Sequence, residues 1–222
     1  MLNQKIRFPN LLKLPSTDDI LLEIDKALKT LTTSPIAERP NPALLINEHE
    51  DLSDIDKQRV VGMMRVNHVG EICAQALYQG QSLSSPSDER RSLFNHAAKE
   101  ETDHLAWTED RLNQLGARTS ILNPFWYSGA FALGLLAGRL GDQISLGFMA
   151  ETEKQVETHL NNHLSNLPTN DHKSRAILEQ MRQDEINHGQ TAIENGASQL
   201  PLPVKLTMKI MSKIMTTLAQ KI

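Results

Sequence analysis

Two copies of one short pattern constrain this 222-residue chain more than anything else in it: Glu101-Thr102-Asp103-His104 and Glu185-Ile186-Asn187-His188. Three residues along an α-helix is nearly a full turn, so the glutamate and histidine of each copy project from one face. A carboxylate and an imidazole presented that way can grip one metal ion. Each copy also has a glutamate about thirty residues upstream, Glu71 before Glu101 and Glu153 before Glu185. That separation is one long helix-turn-helix hairpin, which folds the upstream glutamate back beside the pair. The spacing therefore predicts a two-metal site inside four helices, built from Glu71, Glu101, His104, Glu153, Glu185 and His188.

A single Glu-x-x-His would mean little. With eight histidines in 222 residues, fewer than one copy is expected by chance, and a lone copy is ordinarily a solvated helix face. Two copies, each with its glutamate at hairpin distance, are a different matter. Carboxylate-rich sites with one imidazole per metal suit iron or manganese better than zinc, which prefers sulfur and nitrogen. Glu151 and Glu157 compete with Glu153 for the third position. Glu153 is preferred for its stripe of Leu146, Met149, Val156 and Leu160 and for its distance to Glu185.

The rest of the chain reads as all-α, with no credible alternating strand. Leu21, Ile24, Leu28 and Leu31 recur at helical spacing. Pro35, Pro40 and Pro42 then enforce an extended linker to about Asp51. This N-terminal extension, residues 1–52, carries no legible chemistry and is expected to pack outside the bundle or shape an entrance. The core bundle is expected over 53–200. Ser53 is the expected N-cap of a helix running to about Leu83, with Asp54 and Asp56 in its first turn. Met64, Asn67, Glu71, Ala74 and Tyr78 share one stripe of it. His68, one turn before Glu71, is expected to support the site from behind or to lie at the surface. A second helix, about Asp88–Leu115, sets Phe94, Ala97, Ala98, Leu105 and Thr108 around Glu101 and His104. A helix ending near Asn166 carries Glu153, and one over about Asp171–Gly196 carries Glu185 and His188 among Leu178, Met181 and Ala192.

Two stretches do not belong to those four helices. Phe125–Gly138 is almost wholly apolar, but fourteen residues are too few to span a bilayer, where about 20 are needed. It is either a buried crossover helix or a segment that dips into a membrane surface beside the site. The tail, residues 201–222, holds Lys205, Lys209, Lys213 and Lys221 among Leu206, Ile210, Ile214 and Leu218, with no acidic residue. Such a basic amphipathic helix either packs on the bundle with its lysines in water or lies on an anionic membrane surface. Taken together, the two stretches favour membrane contact. The net charge of −4 argues against nucleic acid as the main partner. The single cysteine, Cys73, excludes a disulfide framework. Lys5, Arg7 and Lys13 with Pro9 and Asn10 show no signal-peptide pattern.

The six site residues reproduce the ferritin-like di-iron carboxylate pattern. The local text is narrower. Arg65-Val66-Asn67-His68-Val69-Gly70-Glu71, with Ala76-Leu77-Tyr78-Gln79-Gly80-Gln81, resembles the demethoxyubiquinone hydroxylase family of ubiquinone biosynthesis. His159-Leu160-Asn161-Asn162 and Asp184-Glu185-Ile186-Asn187-His188 are similar to the same family. The resemblance covers roughly Arg59 to Ile222. It implies a ferritin-like bundle and a monooxygenase that hydroxylates a polyprenylated quinol ring with dioxygen, using two iron ions. Carried over, Glu71 and His104 hold one iron, Glu153 and His188 the other, and Glu101 and Glu185 bridge them. Such a substrate must be met at a membrane. With no export signal read, a peripheral place on the cytoplasmic side of a cell inner membrane is expected by default. The apolar Phe125–Gly138 stretch, joined directly to the helix bearing Glu153, is the expected entry for the quinol head. A homo-oligomer or a quinone-biosynthesis complex stays open. The competing readings are a ferritin-type iron-oxidising protein, a di-iron hydroxylase of tRNA, and a metal-free structural bundle.

Overall fold

The computed structural model describes residues 16–47 and 52–222; Lys5, Arg7, Lys13 and the rest of the extreme amino terminus lie outside them. Seven helices follow one another, and no strand occurs among the described residues: α1 (Thr17–Thr32), α2 (Asp54–Ser84), α3 (Asp88–Gln114), α4 (Asn123–Arg139), α5 (Asp142–Asn166), α6 (His172–Glu194) and α7 (Leu202–Ala219). Helices α2, α3, α5 and α6 form a ferritin-like four-helix core. The hairpins α2–α3 and α5–α6 are its two halves.

Local chemistry sets the boundaries. The Ser53 side chain accepts a hydrogen bond from the Asp56 N–H, as expected of an N-cap, and Ser87 does the same for Arg90 at the start of α3. Asp171 caps α6 through the Ser174 N–H and is also held by buried Arg111 at 2.8 Å, which ties the end of α3 to the start of α6. Between α4 and α5 the chain turns at Gly141, whose φ of 105° lies where a side chain would be strained.

Helix α2 is enclosed along nearly its whole second half. One reason is α4, which lies against α2 backbone to backbone. A Cβ on Gly134 would collide with the Leu77 carbonyl, and one on Gly80 with the Phe131 carbonyl. The apolar crossover is thus seated on the bundle by one face: Tyr127, Gly134, Ala137 and Gly138 are buried. Its other face is not covered, and Phe125 and Leu136 are 68% and 58% exposed. The two readings of this stretch are each half right about its burial. No helix among the described residues is long and apolar enough to cross a membrane.

Helix α7 lies on α2 and α5, but not by the stripe that hydropathy marks. Leu206, Ile210, Ile214 and Leu218 all face outward, and the helix touches the protein with Met208, Met215 and buried Ala219 instead. Helix α1 packs Ala27 and Leu31 near Tyr127 and Phe131, while Leu21, Ile24 and Leu28 stay exposed.

Candidate metal centre

Each core helix delivers its part of the cluster at mid-length, where the bundle excludes water best. Glu71 comes from α2, Glu101 and His104 from α3, Glu153 from α5, and Glu185 and His188 from α6; all six are buried. Their ligand atoms fall into two groups of four, each within 4.8 Å across: Glu71, Glu101, His104 and Glu185 in one, Glu101, Glu153, Glu185 and His188 in the other. Glu101 and Glu185 belong to both. Glu151 points elsewhere: it accepts from Gln155 at 2.9 Å and pairs with Lys205 of α7 at 3.3 Å.

Both imidazoles turn Nδ1 toward the carboxylates. His104 Nδ1 lies 2.9 Å from Glu101, 3.4 Å from Glu71 and 3.5 Å from Glu185. His188 Nδ1 lies 3.4 Å from Glu101, 3.4 Å from Glu185 and 4.0 Å from Glu153. Their Nε2 atoms meet carboxylates in a crossed arrangement. Asp184 of α6 is 2.9 Å from His104 of α3, and Glu100 of α3 is 2.7 Å from His188 of α6. A carboxylate behind an imidazole fixes the tautomer with hydrogen on Nε2 and leaves Nδ1 a lone pair for a metal.

Electrostatics favour a cation here. Five carboxylate oxygens in the cluster, on Glu71, Glu101, Glu153 and Glu185, are buried without a hydrogen-bond partner. Buried acids in that state are costly unless protonated or metal-bound. Burial accordingly pushes Glu71 and Glu153 well above the usual carboxylate range. Burial works against charge on Glu101 and Glu185 too, yet bonds from His104 and His188 hold both below it. The same burial opposes charge on the imidazoles, and the surrounding carboxylates, Asp184 first for His104 and Glu100 first for His188, raise both. The cluster thus balances itself with protons at the positions where two divalent cations would displace them. All-oxygen donors plus one nitrogen on each side fit iron or manganese.

Sequence reasoning gave Asp184 and Glu100 no role, although a signal was present: an acidic residue stands directly before the glutamate of each Glu-x-x-His pair. It also missed Arg39. The extension was expected to carry no chemistry, but Arg39 reaches Asp184 at 2.8 Å and also pairs with Asp103. His68 is neither at the surface nor in either four-residue group. It is 3% exposed, with Nδ1 unpartnered, and burial lowers it to about 4.

Beside the cluster a cavity of about 530 Å³ lies between α2, α4, α5 and α7. Glu71 forms part of its wall, and exposed Phe125 and Met211 mark its outer end. Most of its lining is apolar; Asn67, Gln155 and His159 interrupt it. Asn67 Oδ1 lies 3.0 Å from His163 Nδ1, while Asn67 Nδ2 and His159 Nε2 have no partner.

Residues 58–219 match the family model described as ubiquinone biosynthesis protein COQ7. Proteins named 3-demethoxyubiquinol 3-hydroxylase are similar over nearly their whole length. One from Cupriavidus metallidurans is 54% identical, covering 92% of this chain and 100% of its own. One from Dechloromonas aromatica is 53% identical over 93% and 99%, and one from Burkholderia thailandensis 52% over 91% and 97%.

Proposed function

From the premise that the chain belongs to the ubiquinone biosynthesis protein COQ7 family, we propose that this hydroxylase acts at a di-iron centre on the ring of a polyprenylated demethoxyubiquinol, at a membrane surface. One juxtaposition carries the reading: the two acid–imidazole groups share Glu101 and Glu185, and Glu71 of the first is also a wall of the apolar cavity. Glu71 and His104 would hold one iron, Glu153 and His188 the other, with Glu101 and Glu185 between them. A ferrous pair supplies what no side chain can, two electrons for dioxygen in one place. The reaction puts one oxygen atom into a ring C–H bond and reduces the other to water, consuming two electrons and two protons.

The protein's own residues have three tasks. Ala74, Leu77, Leu133 and Val156 line the cavity and keep water from the ring and the activated oxygen. Asn67, Gln155 and His159 are placed to orient the oxygens of the quinol head, since the unpartnered Nδ2 and Nε2 atoms gain bonds by doing so. Asp184 and Glu100 keep the Nε2 protons of His104 and His188 in place, so each ring keeps one orientation.

A polyprenyl tail is insoluble, so the cavity mouth must meet lipid. The exposed row Leu206, Ile210, Ile214 and Leu218 on α7, flanked by lysines, and exposed Phe125 on α4 suit that contact. The same apolar faces leave self-association or a quinone-synthesis complex open. The test is to give iron-loaded protein a short-chain demethoxyubiquinol with ¹⁸O₂ and a reductant. A product carrying one labelled oxygen supports the reading. Iron oxidation in large excess over protein, without organic product, overturns it in favour of ferritin-type chemistry.

A further inference from the structure

Within the described part of the link that follows α1, residues 33–47, the chain passes beside the metal cluster and is pinned there by both backbone and side chain. The Glu38 N–H donates to Asp103 Oδ1 at 2.7 Å, and the Trp107 indole N–H donates to the Arg39 carbonyl at 3.4 Å. Arg39 spreads its guanidinium between two helices: Nε donates to Asp103 of α3, and one terminal nitrogen donates to Asp184 Oδ2 of α6 at 2.8 Å. The other terminal nitrogen comes within 3.4 Å of His104 Nε2. The guanidinium carbon stands 5.0 Å from the centre of the Trp107 ring, which lies against the His104 ring. A planar fork with five N–H donors can make these contacts together; a point-charge ammonium cannot.

The oxygen that Arg39 holds is the one that holds His104. Asp184 Oδ2 therefore has two donors, and Gln180 bonds its other oxygen at 3.0 Å. The mirror-image carboxylate is kept differently. Glu100, behind His188, is bonded by no arginine among the described residues: His96 stands 3.9 Å away, Arg39 acts on it only through space, and its side chain is 30% exposed. The two halves of a near-symmetric site are thus supported unequally. The residue responsible lies ahead of the 58–219 stretch that the family model matches.

We infer that Arg39 is a positioning residue for the metal site: it clamps Asp184, and through it His104, so that the metal position beside Glu71 and the cavity is held more rigidly than the one at His188. This rests on the two-metal reading above. A fixed imidazole loses less freedom on binding metal, and partners behind a ligand are typically worth about 10–100-fold in affinity.

The experiment titrates the metal-free, full-length chain with cobalt(II), following the visible absorption bands and calorimetry, with Arg39→Gln and Arg39→Lys beside the parent. Urea unfolding of each metal-free variant is measured in parallel. The parent is expected to bind two ions in distinguishable steps. Arg39→Gln is expected to weaken one step by about tenfold or more, leave the other within a factor of about two, and change the bands of the affected ion only. Arg39→Lys keeps the charge without the fork, so it is expected to weaken the same step by less; it also carries the test if Arg39→Gln does not fold. Equal affinities in parent and variants overturn the inference, as does an equal loss in both steps together with a lower urea midpoint, which is a merely structural role. A parent that binds no cobalt overturns the two-metal reading itself.

Discussion

Asp184 on α6 lies 2.9 Å from Nε2 of His104 on α3, and the complementary contact, Glu100 on α3 to His188 on α6, closes at 2.7 Å. Each histidine is therefore supported by the helix that carries the other one. The expected outcome is that Asp184→Asn and Glu100→Gln each lower affinity for one metal by about 10–100-fold, with different spectral bands lost in the two variants. Metal titration of both variants checks this, and loss of the same bands in both would contradict the crossed pairing.

The pH dependence of stability is set partly away from the cluster. Burial lowers His68 to about 4, and burial together with neighbouring His159 lowers His163 to about 3, against about 6.5 in an unfolded chain. Between those values the unfolded chain binds protons that the native chain refuses. Stability contributed by the neutral rings is therefore complete above pH 6.5 and falls as pH drops toward 4 and 3. Each ring accounts for up to about 2 kcal/mol of loss by pH 5. Urea midpoints of the metal-free protein at pH 7 and 5 measure it; His163→Gln should lose less between the two pH values than the parent.

Helix α4 is seated by small residues. Gly134→Ala places a methyl group against the Leu77 carbonyl, whereas a Cβ on Gly129 meets nothing within 4 Å. Overpacking of this kind costs about 1–3 kcal/mol. Thermal unfolding should show a clear drop in melting temperature for Gly134→Ala and almost none for Gly129→Ala. Equal melting temperatures would mean that α4 is not held backbone to backbone on α2.

The outward row on α7 gives a membrane test that leaves the metal site alone. Replacing Ile210 and Ile214, 61% and 54% exposed, with Asp removes apolar contact and adds charge that anionic lipid repels. Burying one such side chain is worth about 1.5–3 kcal/mol, so binding to anionic vesicles should fall by well over tenfold. Metal content and melting temperature should not change. Undiminished vesicle binding would place the lipid contact elsewhere.

Much of this architecture is legible in sequence because helices obey a fixed period. Glu101 with His104, and Glu185 with His188, need only 3.6 residues per turn to share a face, and hairpin distance alone puts Glu71 and Glu153 beside them. Ser53, as the cap of α2, is legible for the same local reason. Arg39 is not, because its partners stand 64 and 145 positions away and nothing in a proline-rich linker announces which carboxylates it will meet. The face of α7 is not either. Hydropathy marks Leu206, Ile210, Ile214 and Leu218 as a burying stripe, but whether a bundle or a bilayer receives it depends on what else occupies the bundle surface. There the inner face of α7 is set by Met208, Met215 and Ala219.

The most direct measurement is iron per chain, by elemental analysis of anaerobically loaded protein, for the parent and for Glu185→Ala. Glu185 is shared by both groups of four, so its loss should disturb both positions at once. The account predicts about two irons in the parent, as the paired carboxylate–histidine arrangement requires, and one or none in Glu185→Ala. No iron in the parent, or a full complement in Glu185→Ala, would contradict it.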